Sequence, residues 1–283
     1  MLKHRLFSGI LIGLAFVVAA LWVSSVWALV VLSGIAVLAA WEFYALLDAA
    51  KIPNFKIIGI GGCVLLIAVT GLTARFAAGG SDFSEALVFF FLTVGVFLRQ
   101  FPQKDNPRPL ETIAGTLMGV LYVGLLLNFI TRLLMTWGFW EGRILILYLI
   151  AVVKLTDVGA YFVGCSFGRH KLIPRISPAK TWEGVLGGVF FGVLTSFLFY
   201  LSFHGRLGAL SMSAVDALVL GLILALLGVA GDLTESLFKR AAGVKDSGRM
   251  ILGMGGVLDV IDSLLFAAPA LYIYARFFFS VVQ

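Results

Sequence analysis

Apolar runs separated by charged or turn-rich breaks dominate the chain, lying near residues 6–23, 26–47, 57–72, 85–98, 112–131, 144–164, 184–203, 214–236 and 257–279. Most of them approach the roughly 20 residues that a helix needs to cross the hydrocarbon of a bilayer. The stretch ALVLGLILALLGVAG, residues 217–231, is apolar on every face, whereas the strands of a membrane barrel alternate apolar and polar positions. The pattern therefore predicts an all-α, polytopic integral membrane bundle of about nine transmembrane helices. The fourth run has only 14 residues, so it is expected to be re-entrant or to extend into its flanks. The first run follows Lys3 and Arg5 like a signal peptide, and Val26 to Ala28 resembles a cleavage site. Its apolar part is too long for that role and another span follows at once, which predicts an uncleaved helix.

Composition agrees with this reading and sharpens it. Of 283 residues, 61% are hydrophobic and 13% charged, about half the charge of an ordinary soluble domain. Thirty-two Gly against seven Pro suit helices that approach closely through small residues, and such faces would also serve a homodimer. Cys63 and Cys165 stand too far apart in the sequence to suggest a disulfide framework. The net charge of +6 does not point to nucleic acid, because its distribution is that of a membrane protein. With nine spans, fifteen of the 21 Lys and Arg fall on the N-terminal side; Arg75, Arg132, Arg143, Arg206 and Arg276 fall on the other, and Lys154 lies inside a span. Basic residues accumulate in cytoplasmic loops. The N-terminus is thus expected in the cytoplasm and the C-terminus outside, with the two most basic loops, 165–183 and 237–256, facing the cytoplasm.

Hydrophilic character divides the chain into an N-terminal scaffold of plain helices, 1–150, and a working half, 151–283, within one integral domain. The second half carries Asp157, Glu183, Asp216, Asp232, Glu235, Asp246, Asp259 and Asp262, and all but Asp216 lie in or beside the ends of apolar runs. A charge within the hydrocarbon costs at least ~2.5 kcal/mol on insertion scales, so such acids call for a function. In GDLTESLFKR, Asp232, Glu235 and Lys239 recur at i, i+3 and i+7 on one helical face, and Asp259 and Asp262 in GGVLDVIDSLLF share another. The loop between them, AAGVKDSGRMILGMGG, adds Lys245, Asp246 and Arg249. Carboxylates at this density repel unless a cation is shared. Magnesium takes hard oxygen ligands, few carboxylates, water and substrate phosphates. Lys239, Arg240, Lys245 and Arg249 would then hold phosphate oxygens, and the combination suggests phosphoryl or nucleotidyl transfer. A helix pair joined by ion pairs and an ion-coupled transporter are the competing readings.

The other cytoplasmic loop, GCSFGRHKLIPRISPAKTWEG, carries Arg169, Lys171, Arg175, Ser177, Lys180 and Thr181. Its cations alone fit anionic headgroups, while Ser177, Lys180 and Thr181 at the start of the next helix offer donors to a phosphate. Lys154, Asp157 and Tyr161 form a stripe on the preceding helix, for which a simple intrahelical ion pair is an adequate account. His170 and His204 are isolated and do not suggest zinc. Glu42 and Asp48 lie near the cytoplasmic end of the second run, where snorkelling to the interface would explain them.

The run SLFKRAAGVKDSGRMILGMGGVLDVID, residues 236–262, resembles the C-terminal signature of the phosphatidate cytidylyltransferases, or CDP-diacylglycerol synthases. That signature reads roughly S, two residues, KR, four residues, KD, then PGHGG, two residues, DR, one residue and D. TDVGAYFVGCSFGRHKL and ISPAKTWEGVLGG are similar to two further stretches of the family, in the same order. The resemblance implies that phosphatidic acid and CTP give CDP-diacylglycerol and pyrophosphate with magnesium, at the cytoplasmic face of a bacterial-type inner membrane. It implies that Asp232, Asp259 and Asp262 hold the metal, with Asp246 a ligand or an acid close behind. Lys239, Asp246 and Asp259 become the implied catalytic residues, and Ser236 a polar neighbour of the site. Ser177, Lys180, Thr181, Arg240, Lys245 and Arg249 are the remaining candidates for substrate contacts.

Leu252, Met254 and Val260 stand where the family has Pro, His and Arg, while the acids and the KR and KD pairs remain. The nearest alternative activity is a CTP-dependent kinase of a polyprenol or other lipid alcohol, which would leave CDP rather than pyrophosphate. Whether a second cation such as potassium shares the carboxylate site is open in the sequence.

Overall fold

The computed structural model describes residues 24–76, 81–248 and 255–281. Its elements are α1 (Ser25–Ala49), α2 (Lys56–Phe76), α3 (Ser81–Leu98), α4 (Pro109–Gly119), a π-helical turn (Val120–Leu125), α5 (Leu126–Met135), α6 (Phe139–Phe167), β1 (Lys171–Ile173), β2 (Ser177–Thr181), α7 (Trp182–Ser202), β3 (Arg206–Leu207), β4 (Leu210–Ser211), α8 (Ala214–Ala241), α9 (Val257–Phe278) and β5 (Ser280–Val281). Among the described residues seven helices are long and apolar enough to span a membrane, α4 to α5 counting as one through the π-helical turn. The eighth, Phe83–Leu98, is the short run of the sequence, and it gains a turn from its N-terminal flank. The first expected span, 6–23, lies outside the described residues. This is a polytopic α-helical membrane protein.

Two differences from the sequence expectation have clear causes. Helix α8 runs to Ala241 rather than ending near 236, which places Lys239 and Arg240 in its last turn. Cations are favoured there by the negative end of the helix dipole. The basic segment 165–183, expected as a loop, folds in part into an antiparallel hairpin that pairs Lys171 with Thr181 and Ile173 with Ser177.

The chain forms two compact units that do not follow a division at residue 150. One unit takes residues up to Met135 together with Phe238–Val260; the other takes Thr136–Leu237 with Ile261–Gln283. In the first, Phe43, Tyr44, Tyr122 and Phe238 make a buried aromatic cluster with edge-to-face contacts at ring separations of 5.0–5.8 Å. Tyr44 donates its hydroxyl to the Thr116 carbonyl at 2.7 Å. Glu85 of α3 is buried but paired, with Arg132 Nη2 at 2.6 Å and the Thr70 hydroxyl at 2.7 Å.

In the second unit α6 and α7 pack against each other along their lengths. The reason is a small residue at every fourth position of α7: Gly184, Gly188, Gly192 and Ser196 are all buried. Any Cβ added at Gly188 would lie 2.9 Å from the Thr156 carbonyl oxygen and 3.0 Å from the Ala160 Cβ of α6. Ser196 closes the stripe, bonding the Tyr148 hydroxyl at 2.7 Å and donating to the Ala217 carbonyl of α8. Close backbone approach through small residues is how helices associate in lipid, which offers no hydrophobic drive between them. The large side chains turn outward instead, Phe190 and Leu186 being 63% and 68% exposed. At the other end of this unit β4 pairs with both β3 and β5, so the chain's last strand lies beside the α7–α8 connection.

Gly188→Leu should therefore destabilise the protein by about 1–3 kcal/mol through overpacking. Gly34→Leu, where nothing lies within 4 Å of the added Cβ, should stay within about 0.5 kcal/mol of wild type. Reversible unfolding in micelles measures both, and equal effects would contradict the packing assigned to the α7 stripe.

Candidate active site

In the first unit the site begins with the last turn of α8. Lys239 extends from it to Asp259, in the first turn of α9, and donates to Oδ1 at 2.6 Å; the two side chains are 14% and 9% exposed. Oδ2 of Asp259 accepts from the Gly256 N–H at 2.7 Å, the Ser247 hydroxyl at 2.8 Å and the Ser247 N–H at 3.1 Å. An acid in the first turn that reaches back to the N–H before it is the reciprocal half of a capping box. Gly255 has a φ of +95°, a region that L side chains avoid, and this lets the chain turn into α9.

A residue that the sequence analysis assigned to the membrane interface belongs here. Glu42 of α1 is 3% exposed. It accepts from the Val257 N–H at 3.0 Å, the Leu258 N–H at 2.8 Å and the Ser247 hydroxyl at 3.3 Å. It does not snorkel. Seven residues separate it from the end of α1 at Ala49, roughly 10 Å of helix rise, and that depth was the available signal. Asp48, by contrast, lies at the exposed end as expected, 3.8 Å from Lys56.

In the second unit the hairpin delivers Lys180 to α8. Its ammonium lies 2.9 Å from Asp232 Oδ2 and 3.4 Å from the Val229 carbonyl. Ser236, one turn further along α8, donates to Asp232 Oδ1 at 3.3 Å. Lys154 and Asp157 form the expected intrahelical pair at 3.6 Å. They are also electrostatic neighbours of the set: Asp157 interacts with Asp232 and Lys180, and the buried Asp262 interacts with Asp232, Asp157 and Lys154. Asp262 Oδ1 accepts from the Ser263 hydroxyl at 2.9 Å. Three carboxylates and two lysines thus share one electrostatic environment.

The hairpin is itself anchored. Thr181 caps α7 by accepting from the Gly184 N–H at 3.1 Å and is buried, so its hydroxyl serves the helix start. Glu183 holds the other side through His170 Nδ1 at 2.6 Å and the Arg169 and His170 N–H groups at 3.2 Å. Ser177 is half-buried at the start of β2, while Arg240, Lys245 and Asp246 are exposed. Arg249, with Leu252 and Met254, lies outside the described residues.

The acids expected around one cation thus divide: Asp246 and Asp259 fall in one unit, Asp232 and Asp262 in the other. Among the described residues no three His, Cys, Asp or Glu side chains gather as a metal cage. The donors present are hard carboxylate oxygens taken one or two at a time beside lysines. That donor chemistry fits magnesium, which completes its shell with water and phosphate, and does not fit a closed protein cage.

Fold and site together define a polytopic membrane protein in which carboxylates near the helix ends are held by lysines. The cytidylyltransferase family matches residues 3–278, and the chain belongs to that family. It is 42% identical over 143 residues to a phosphatidate cytidylyltransferase of Haemophilus influenzae, covering 50% of this chain and 48% of that protein. It is 45% identical over 161 residues to one from Staphylococcus aureus, 56% of each chain. Against one from Chlamydia pneumoniae it is 33% identical over 222 residues, 75% of this chain and 70% of the other. The matched stretch is therefore about half the length of the first two of these relatives.

Removing one member of a buried ion pair strands the other charge. Lys239→Met should cost about 3 kcal/mol or more, and Lys239→Met with Asp259→Asn should recover a good part of it. Lys180→Met, at the pair with 21% and 35% exposure, should cost about 1 kcal/mol or less. Equilibrium unfolding of the three variants in micelles checks the order; a larger effect at Lys180 would contradict it.

Proposed function

We propose that the protein is a CTP:phosphatidate cytidylyltransferase, making CDP-diacylglycerol and pyrophosphate at the cytoplasmic face of a bacterial inner membrane. The observation that carries this reading is the coincidence of a family match over nearly the whole chain with lysine-held carboxylates at Lys239–Asp259 and Lys180–Asp232. The shared identity with relatives named for this activity supports the choice of CTP and phosphatidic acid.

In this reading a phosphate oxygen of phosphatidic acid attacks the α-phosphorus of CTP in line. The new P–O bond forms as the bond to the β-phosphate oxygen breaks, and pyrophosphate leaves. The nucleophile is already anionic near neutral pH, so no general base is required. Lys239 moves from the Asp259 carboxylate to phosphate oxygens as negative charge shifts to the leaving group. Ser236 orients Asp232, and Arg240, Lys245 and Arg249 draw the nucleotide from the aqueous side. The candidates to hold magnesium are Asp246 and Asp259 in the first unit and Asp232 and Asp262 in the second, and the ion when bound supplies charge neutralisation at the phosphates. The Lys–Asp pairs orient the carboxylates at 2.9 and 2.6 Å.

The test is transfer of label from α-labelled CTP into phosphatidic acid liposomes by purified, reconstituted protein. Labelled lipid should form with magnesium and stop on chelation. Asp259→Ala should lower the rate by roughly 10²-fold or more. No labelled lipid from folded protein would refute the assignment, and label reaching a polyprenol only from γ-labelled CTP would replace it with a kinase.

A further inference from the structure

We propose that Glu42 is a positioning residue for the reaction, clamping Ser247 and the start of α9 at Val257 and Leu258 so that Asp259 faces Lys239. The inference rests on the cytidylyltransferase reading only for its kinetic part. Its basis is the way α1 reaches across more than 200 residues of sequence to the start of α9. The first N–H groups of a helix have no partner within the helix. Here two of them, on Val257 and Leu258, are taken by the two oxygens of Glu42, at 3.0 and 2.8 Å. The N–H of Gly256 goes to Asp259 itself. Two carboxylates from distant parts of the chain thus divide one helix start between them.

Ser247 couples the two. Its hydroxyl lies 2.8 Å from Asp259 Oδ2 and 3.3 Å from Glu42 Oε2, and a hydroxyl has one proton to donate. That proton is shared between the two carboxylates and lies nearer Asp259, so Ser247 ties both acids to one donor. Gly248 and Gly256 flank the clamp with no side chain; a Cβ at either position would collide with the Glu42 carboxylate. Glycine is required at both by close approach to this one group. Glu42 is thus surrounded on every side by the segment it holds: two backbone donors, one hydroxyl and two glycines. Its hydrogen bonds among the described residues go to Ser247, Val257 and Leu258, so its action is on the placement of Asp259. An error of about 1 Å at such a group is enough to cost ~10²-fold in rate.

The test compares Glu42→Gln with Glu85→Gln. Glu85 is another buried acid of this unit, bonded to Arg132 and Thr70. In Glu42→Gln the amide presents a donor where Leu258 also donates. Backbone hydrogen exchange at Val257 and Leu258 should accelerate by about tenfold or more. In liposomes kcat should fall ~10²-fold while KM for CTP stays within about threefold. Glu85→Gln should lower thermal stability yet leave both exchange at these amides and kcat within about twofold of wild type. Should Glu42→Gln fail to fold, Glu42→Asp carries the same comparison, with the charge kept but withdrawn by one methylene.

Unchanged exchange in a folded Glu42 variant would overturn the clamp. Lost protection with wild-type kcat would overturn its role in positioning, as would equal loss of kcat in both variants in proportion to their stability. If wild-type protein transferred no cytidylyl group, the functional reading would fall, and the exchange comparison would still decide the clamp.

Discussion

A carboxylate inside an apolar helix must be neutralised or fully hydrogen-bonded, and the described structure is organised around meeting that demand at several sites. The electrostatic cost of an isolated intramembrane charge is several kcal/mol, and leaving one uncompensated costs more than the pair returns. Asp259 answers it with Lys239 and three donors from the Ser247 and Gly256 turns. Asp232 answers it with Lys180 and Ser236. Glu42 answers it with the free N–H groups of a helix start. Each solution fixes a turn, a hairpin or a helix start as well as a charge.

Lysine is well suited to this arrangement because its ammonium can turn from carboxylate to phosphate without being rebuilt. A guanidinium is used where no exchange is called for: Glu85 is gripped by Arg132 Nε and Nη2 in a two-pronged pair that locks α3 to α5. The contrast separates an acid fixed by a rigid fork from acids held by a single ammonium. The glycine stripe of α7 contributes in the second unit, since Gly188 leaves room for α6, which carries Lys154 and Asp157, and Gly192 for both α6 and α8, which carries Asp232.

Run length made the helices legible, because the bilayer imposes the same requirement on each of them. Spacing made Lys154 and Asp157 legible as a pair. What local pattern concealed was pairing over distance. Glu42 looks like any acid near a helix end until its partners, 205 to 216 residues away, are known. The β1–β2 hairpin was hidden because strands of three and five residues show no alternation to read. Thr181 resembled a phosphate contact because a helix cap and an anion site use the same donors. The grouping of Phe238–Val260 with the N-terminal helices likewise depends on Phe238 meeting Phe43 and Tyr122, which no periodicity shows.

The central claim is that Asp259 is kept ionised and oriented by Lys239 within an apolar helix pair. Infrared difference spectroscopy on reconstituted protein with isotope-labelled aspartate, comparing wild type with Asp259→Asn at neutral pH, tests it directly. The account predicts that the substitution removes an ionised carboxylate band and no protonated carboxyl band. Loss of a protonated carboxyl band instead would mean that the acid is neutral, that the Lys239 pairing does not hold in the membrane, and that the site cannot work as described.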